Sequence, residues 1–161
     1  MSSLVPMSIK GLMLDPISNS PIVILKDGEE RIFLPIWVGI FEANAIALQL
    51  ENIATPRPMT HDLLRNLIDT VDGKVRRVII SELRDSTFYA RIDMVVGERQ
   101  LEIDARPSDA IALALRTEAP IFVEQDVLDQ AQTIAPDEDS EEKLKKWFES
   151  VSPEDLGKYK M

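Results

Sequence analysis

The chain has 161 residues, a 45% hydrophobic composition, no cysteine and a formal net charge of −10. That length carries one ordinary core and an appendage. The lack of cysteine excludes disulfides and thiolate catalysis and fits a cytoplasmic protein. No apolar run reaches the roughly 18 to 20 residues of a bilayer span, because Glu42 interrupts the longest one, and no basic segment leads into an apolar one at the N-terminus; no membrane contact is expected. The charge is uneven: residues 1–123 hold 17 acids and 13 bases, residues 124–161 hold 11 acids and 5 bases. An acidic chain without a basic stripe is a poor passive binder of nucleic acid, whose affinity comes mostly from counterions displaced by Lys and Arg.

Three short strands are predicted first, in MSIKGLMLD, PIVILKD and RIFLPIW, separated by the turn compositions PISNSP and DGEE. Trp37 to Gly39 reads as a strand end and tight turn. GIFEANAIALQLENI then switches to helical spacing and ends at Pro56 and Pro58, which forbid continuation. THDLLRNLIDTVDG predicts a second helix, with Thr60 as N-cap and Gly73 closing it. Leu63, Leu64, Leu67, Ile68 and Val71 share one face of it, and Asp62, Arg65, Asn66 and Asp69 are expected to face outward. A second meander follows in KVRRVIISEL, TFYARIDMVV and RQLEIDA, then a third helix in PSDAIALALRTEA, a strand in PIFVE and a short helix in QDVLDQAQ. The runs AIALQL and AIALAL leave the first and third helices without a polar stripe, which predicts burial on several sides, between layers or in a subunit interface. The expected architecture is α+β, a largely antiparallel sheet with buried apolar helices packed against it, over residues 1–132. An acidic linker and an amphipathic helical tail carrying Leu144, Trp147, Phe148 and Val151 occupy residues 133–161.

Chemistry has few residues to draw on. His61 is the lone histidine, so a triad or metal cluster needing two is excluded, and no Gly-rich phosphate loop is present. Carboxylates remain: Glu42, Asp62, Asp104 and Asp109, at helix starts or at the strand end feeding one. Ser108 and Asp109 read most simply as helix caps, with Arg106 pairing a carboxylate; the same cluster of Asp104, Arg106 and Asp109 suits a divalent cation or a phosphate. Glu42, at the mouth of an apolar helix, needs a partner, for which Arg57 or Arg106 would serve. His61 stands at a helix start whose dipole disfavours the imidazolium. It reads either as a neutral base or metal ligand or as an exposed residue with no task.

The blocks LPIWVGIFEANAIALQLE, RPMTHDLL, FYARI and EIDARPSDAIALALRTEAPIFV together resemble the bacterial bifunctional nuclease domain family, over roughly Val5 to Ala131. The resemblance implies a compact α+β domain that dimerises, and a metal-assisted phosphodiesterase acting on DNA and RNA. The family's EA, RPxTHD and RPSDA blocks fall on Glu42, on Arg57, Thr60, His61 and Asp62, and on Arg106, Ser108 and Asp109. The candidate catalytic residues are then Glu42, His61, Asp62 and Asp109. Glu42, Asp62 and Asp109 are the expected ligands of Mg²⁺ or Mn²⁺, and Arg57, Arg106 and Ser108 the expected substrate contacts. The competing expectation is a non-catalytic homodimeric interaction module whose tail docks on a partner.

Overall fold

The β-branched and aromatic runs become seven strands in the structure, a computed structural model that describes residues 3–131 and 133. They are β1 (Leu4–Leu14), β2 (Pro21–Asp27), β3 (Phe33–Trp37), β4 (Gly73–Arg84), β5 (Thr87–Val96), β6 (Arg99–Ala105) and β7 (Ile121–Glu124). The helices are α1 (Ile40–Leu50), α2 (Thr60–Thr70), α3 (Pro107–Thr117) and α4 (Gln125–Gln130). The sheet order is β3-β2-β1-β7-β4-β5-β6. It consists of two three-stranded antiparallel meanders joined by β7, which runs antiparallel to β1 and parallel to β4. The hairpin between β4 and β5 turns on Asp85 and Ser86, both at positive φ, the backbone that a tight two-residue connection requires.

Alternation in β5 follows the expected register: Phe88, Ala90, Ile92 and Met94 are buried, and the residues between them are partly exposed. Val78, Ile80, Val123, Val23 and Leu25 continue one apolar layer, onto which residues of all four helices pack. The α+β expectation of a largely antiparallel sheet covered by apolar helices therefore holds. The boundary at 132/133 and the acidic tail lie at and beyond the end of the described residues.

The helices depart from expectation in three ways. First, α3 is buried from Pro107 to Arg116 at all but two positions, Asp109 and Leu115, whereas α1 buries Ala43, Ala45 and Ile46 and leaves Ile40 and Phe41 exposed, Phe41 at 84%. The two AIAL runs thus serve different surroundings. Second, α2 is inverted. Leu63, Leu64, Leu67 and Val71 are exposed, and His61, Asp62, Arg65 and Asn66 are turned inward, while Ile68 packs on the core and Asp69 faces solvent as expected. Hydrogen bonds and ion pairs on the polar side join the packing of Ile68 as its attachment, as the site below details. Third, the caps differ. Met59 is the N-cap of α2, Thr60 is its first helical residue, and the left-handed position after it is Asp72, at φ 57°, rather than Gly73, which begins β4.

Candidate active site

The starts of α1, α2 and α3 each carry an acid in the third helical position: Glu42, Asp62 and Asp109. There a carboxylate faces unsatisfied backbone N–H groups and the positive end of the helix dipole. Asp62 uses the position conventionally, since its Oδ2 accepts from the Met59 N–H at 3.0 Å. Neither α1 nor α3 has a side-chain cap, so Glu42 and Asp109 are free to bond elsewhere. Capping therefore does not account for the Arg-Pro-Ser-Asp cluster.

Asp109 is the centre of the arrangement. Its Oδ1 lies 2.9 Å from His61 Nε2, and its Oδ2 accepts from Arg106 Nε at 3.0 Å. Arg106 Nη2 reaches Glu42 Oε1 at 2.7 Å. Glu42, Arg106, Asp109 and His61 thus form one chain of contacts across three helix starts. Glu42 and Asp109 hold the Arg106 guanidinium above the usual arginine range, the Glu42 hydrogen bond contributing most. Arg106 remains 54% exposed in its side chain while the His61 ring is 9% exposed. The cation is open to solvent and the imidazole is buried. Gly39, the N-cap of α1, leaves room for the Glu42 carboxylate as placed, and a Cβ there would make that carboxylate shift.

Asp62 belongs to a second network. Its Oδ1 accepts from Arg116 Nε at 2.7 Å, and Arg116 also donates to the carbonyls of Ala112 and Ala45. The Met59 N–H, followed by Arg116, holds the Asp62 carboxyl below its ordinary value against the opposing effect of burial. Arg116 has a side chain only 2% exposed and ties α1, α2 and α3 together. It was absent from the expected site. Its signal in the sequence is a single cation ending an otherwise apolar helix.

Arg57 is exposed in the loop before α2, and Ser108 is fully buried in the first turn of α3. Asp104, on β6, is exposed and forms no ion pair among the described residues. A divalent ion needs several oxygen or imidazole donors converging on one point. Among the described residues no group of three or more His, Asp or Glu is so arranged. Glu42 and Asp109 converge on a guanidinium and Asp62 on another, so these side chains as placed do not fit a metal.

Residues 23–136 match the bifunctional nuclease domain family. The chain belongs to that family. Over 159 residues it is 39% identical to an uncharacterized protein of Mycobacterium tuberculosis, covering 92% of this chain and 95% of that one. It is 31% identical over 102 residues to bifunctional nuclease 1 of Oryza sativa, and 27% identical over 108 residues to bifunctional nuclease 2 of Arabidopsis thaliana. Those matches cover 62% and 65% of this chain but 30% and 33% of the plant proteins. The chain therefore spans about a third of the length of those plant proteins, and the family match over residues 23–136 takes in all three helix starts that build the site. No helix among the described residues is long and apolar enough to cross a membrane.

Proposed function

We propose that this bifunctional nuclease domain hydrolyses phosphodiester bonds of DNA and RNA at the His61–Asp109–Arg106–Glu42 network. The observation that carries the reading is the position of Asp109, whose two oxygens hold an imidazole and an exposed guanidinium side by side. With the Nε2 proton donated to Asp109, the Nδ1 lone pair of His61 is left as the base. It takes a proton from a water attacking phosphorus and returns it to the departing oxygen as the P–O bond breaks. Arg106 spends Nε and Nη2 on Asp109 and Glu42, and its Nη1 end is the donor left to meet the charge that develops on phosphate. Glu42 holds the guanidinium in place. No step here passes through a metal ion, because a cation would have to displace Arg106 from Glu42 and Asp109 before it could bind.

The domain is further proposed to act as a homodimer joined through the outward stripe of Leu63, Leu67 and Val71 on α2, with Leu64 beside it. These side chains are exposed within one chain, and a two-fold pairing buries one patch against itself. Light scattering over a dilution series tests it. A dimer mass that falls to about 18 kDa in Leu67→Glu is expected, and a monomer mass for the wild type at all micromolar concentrations refutes the pairing.

The test of the activity is hydrolysis of single-stranded DNA and RNA by rigorously purified protein, with and without EDTA, beside His61→Asn and Asp109→Asn. The two variants are expected to lose activity, and the wild type to keep it in EDTA. Activity that EDTA abolishes and Mn²⁺ restores would move a cation onto these carboxylates. Activity equal in all three proteins would remove the site.

A further inference from the structure

The sequence has no basic stripe, yet the fold assembles one. Two cavities flank α2 on its polar side and share the walls Arg65 and Arg116. One, of about 310 Å³, lies between the end of α1, the 51–59 loop and α2, and adds Arg57. The other, of about 440 Å³, lies between α2, the end of α3 and the start of β4, and adds Lys74 and Arg76. The five cations come from positions 57, 65, 74, 76 and 116, far enough apart that no window of sequence shows them together.

Arg116 is neutralised by Asp62. Arg57, Arg65, Lys74 and Arg76 form no ion pair among the described residues, and against them stand Asp69 and Glu118 on the same walls. The cleft is net positive on a chain of net charge −10. Such a local excess determines where a polyanion lands whatever the overall charge. Ile53, Pro56 and Pro58 give the first cavity apolar faces beside its cations, and the guanidiniums of Arg57 and Arg65 are planes on which unstacked bases can lie, whereas a duplex keeps its bases turned inward.

We infer that these two adjoining cavities are the track of a single-stranded nucleic acid, its phosphates lying on Arg57, Arg65, Lys74 and Arg76. The track rests on the nuclease reading and extends it: Glu42, His61, Arg106 and Asp109 line neither cavity, and α2 is the link, since its Asp62 lines the first cavity and its His61 belongs to the network. A strand leaving the site along the polar side of α2 meets Arg65 and then Lys74 and Arg76. It would thus keep several nucleotides bound while one phosphodiester is cut.

The experiment measures binding alone, by fluorescence anisotropy of labelled dT20 and U20 in EDTA over a range of salt concentrations. The cleft variant is Arg65→Gln/Lys74→Gln/Arg76→Gln. A control of equal charge change is Lys10→Gln/Arg31→Gln/Arg99→Gln, all exposed and away from the cleft. The cleft variant is expected to flatten the plot of log affinity against log salt by about 2, from roughly 0.7 per lost phosphate contact on a single strand, and the control to leave it unchanged. If the triple variant does not melt cooperatively, Lys74→Gln alone, at an exposed position, decides by a change of about 0.7. An unchanged slope in the cleft variant, an equal change in the control, or no binding by the wild type overturns the track. Cleft-dependent binding without any hydrolysis would keep the track and remove the nuclease reading; hydrolysis with a slope indifferent to the cleft would do the reverse.

Discussion

Helices α2 and α3 have the same length, 11 residues, and opposite relations to the core. In α3 almost every side chain is buried, and its polar groups sit at its two ends, Asp109 and Arg116. In α2 the apolar stripe faces solvent, and the polar side lies against α3, joined to it by His61 to Asp109 and by Asp62 to Arg116. Each polar end of α3 thus holds one of two successive residues at the start of α2. The lesson is that amphipathic spacing identifies two faces of a helix but not which is inside. Where the neighbouring helix offers charges in place of an apolar surface, the polar face wins the interior.

The comparison can be broken at Arg116, which joins the two helices. Arg116→Ala strands Asp62 and the carbonyls of Ala45 and Ala112 that it now satisfies. It is expected to cost about 2 to 4 kcal/mol, toward the lower end of the range for breaking a buried pair because Asp62 keeps some exposure. Denaturant unfolding measures it, and a loss under about 1 kcal/mol would mean that α2 is held otherwise. At Ile111 in α3, fully buried, truncation to Ala is expected to cost about 2 to 5 kcal/mol by the cavity it leaves. The same measurement on Leu67→Ala in α2, 55% exposed, is expected to give about 0.5 kcal/mol or less at concentrations where the protein is monomeric. Equal losses at Ile111 and Leu67 would put the stripe back in the core.

Much of this was legible from the sequence and some was not, for reasons that particular residues explain. The strands of β5 and β7 follow from alternation and β-branching, and the helix starts from their prolines and acids. The inversion of α2 was hidden because its fate depends on Arg116, which lies 54 positions from Asp62. The convergence of Glu42 on Arg106 spans 64 positions. Local spacing brings acids to helix mouths; only the packing of three helices decides which cation each one meets.

A pH series sharpens the same contrast. The Met59 N–H and Arg116 depress the Asp62 carboxyl in the folded chain. Its contribution to stability is therefore present above the unfolded carboxyl value, about 3.9, and is lost as pH falls through the lower folded value. Asp15 behaves likewise. Burial raises it, but the Ile17 N–H and the Trp37 indole N–H outweigh that and leave it lowered. Thermal melts below pH 4 should fall less steeply in Asp62→Asn than in the wild type; identical acid limbs would contradict the account. The smallest expected effect is that of chelation. Since no three-donor group exists among the described residues, EDTA should leave the melting midpoint unchanged, and a drop of several degrees would reveal a structural metal.

The most direct test of the account is the hydrolysis rate of Asp109→Asn on single-stranded DNA and RNA, measured with its thermal melt. Asn keeps the shape but removes the charge that Arg106 and His61 share. The rate is expected to fall on the order of 10² to 10⁴-fold, the range for a mispositioned acid–base group, while the protein still melts cooperatively and is folded at the assay temperature. A rate that merely follows the fraction folded would return Asp109 to a structural ion pair and take the catalytic centre away from the His61–Asp109–Arg106–Glu42 network.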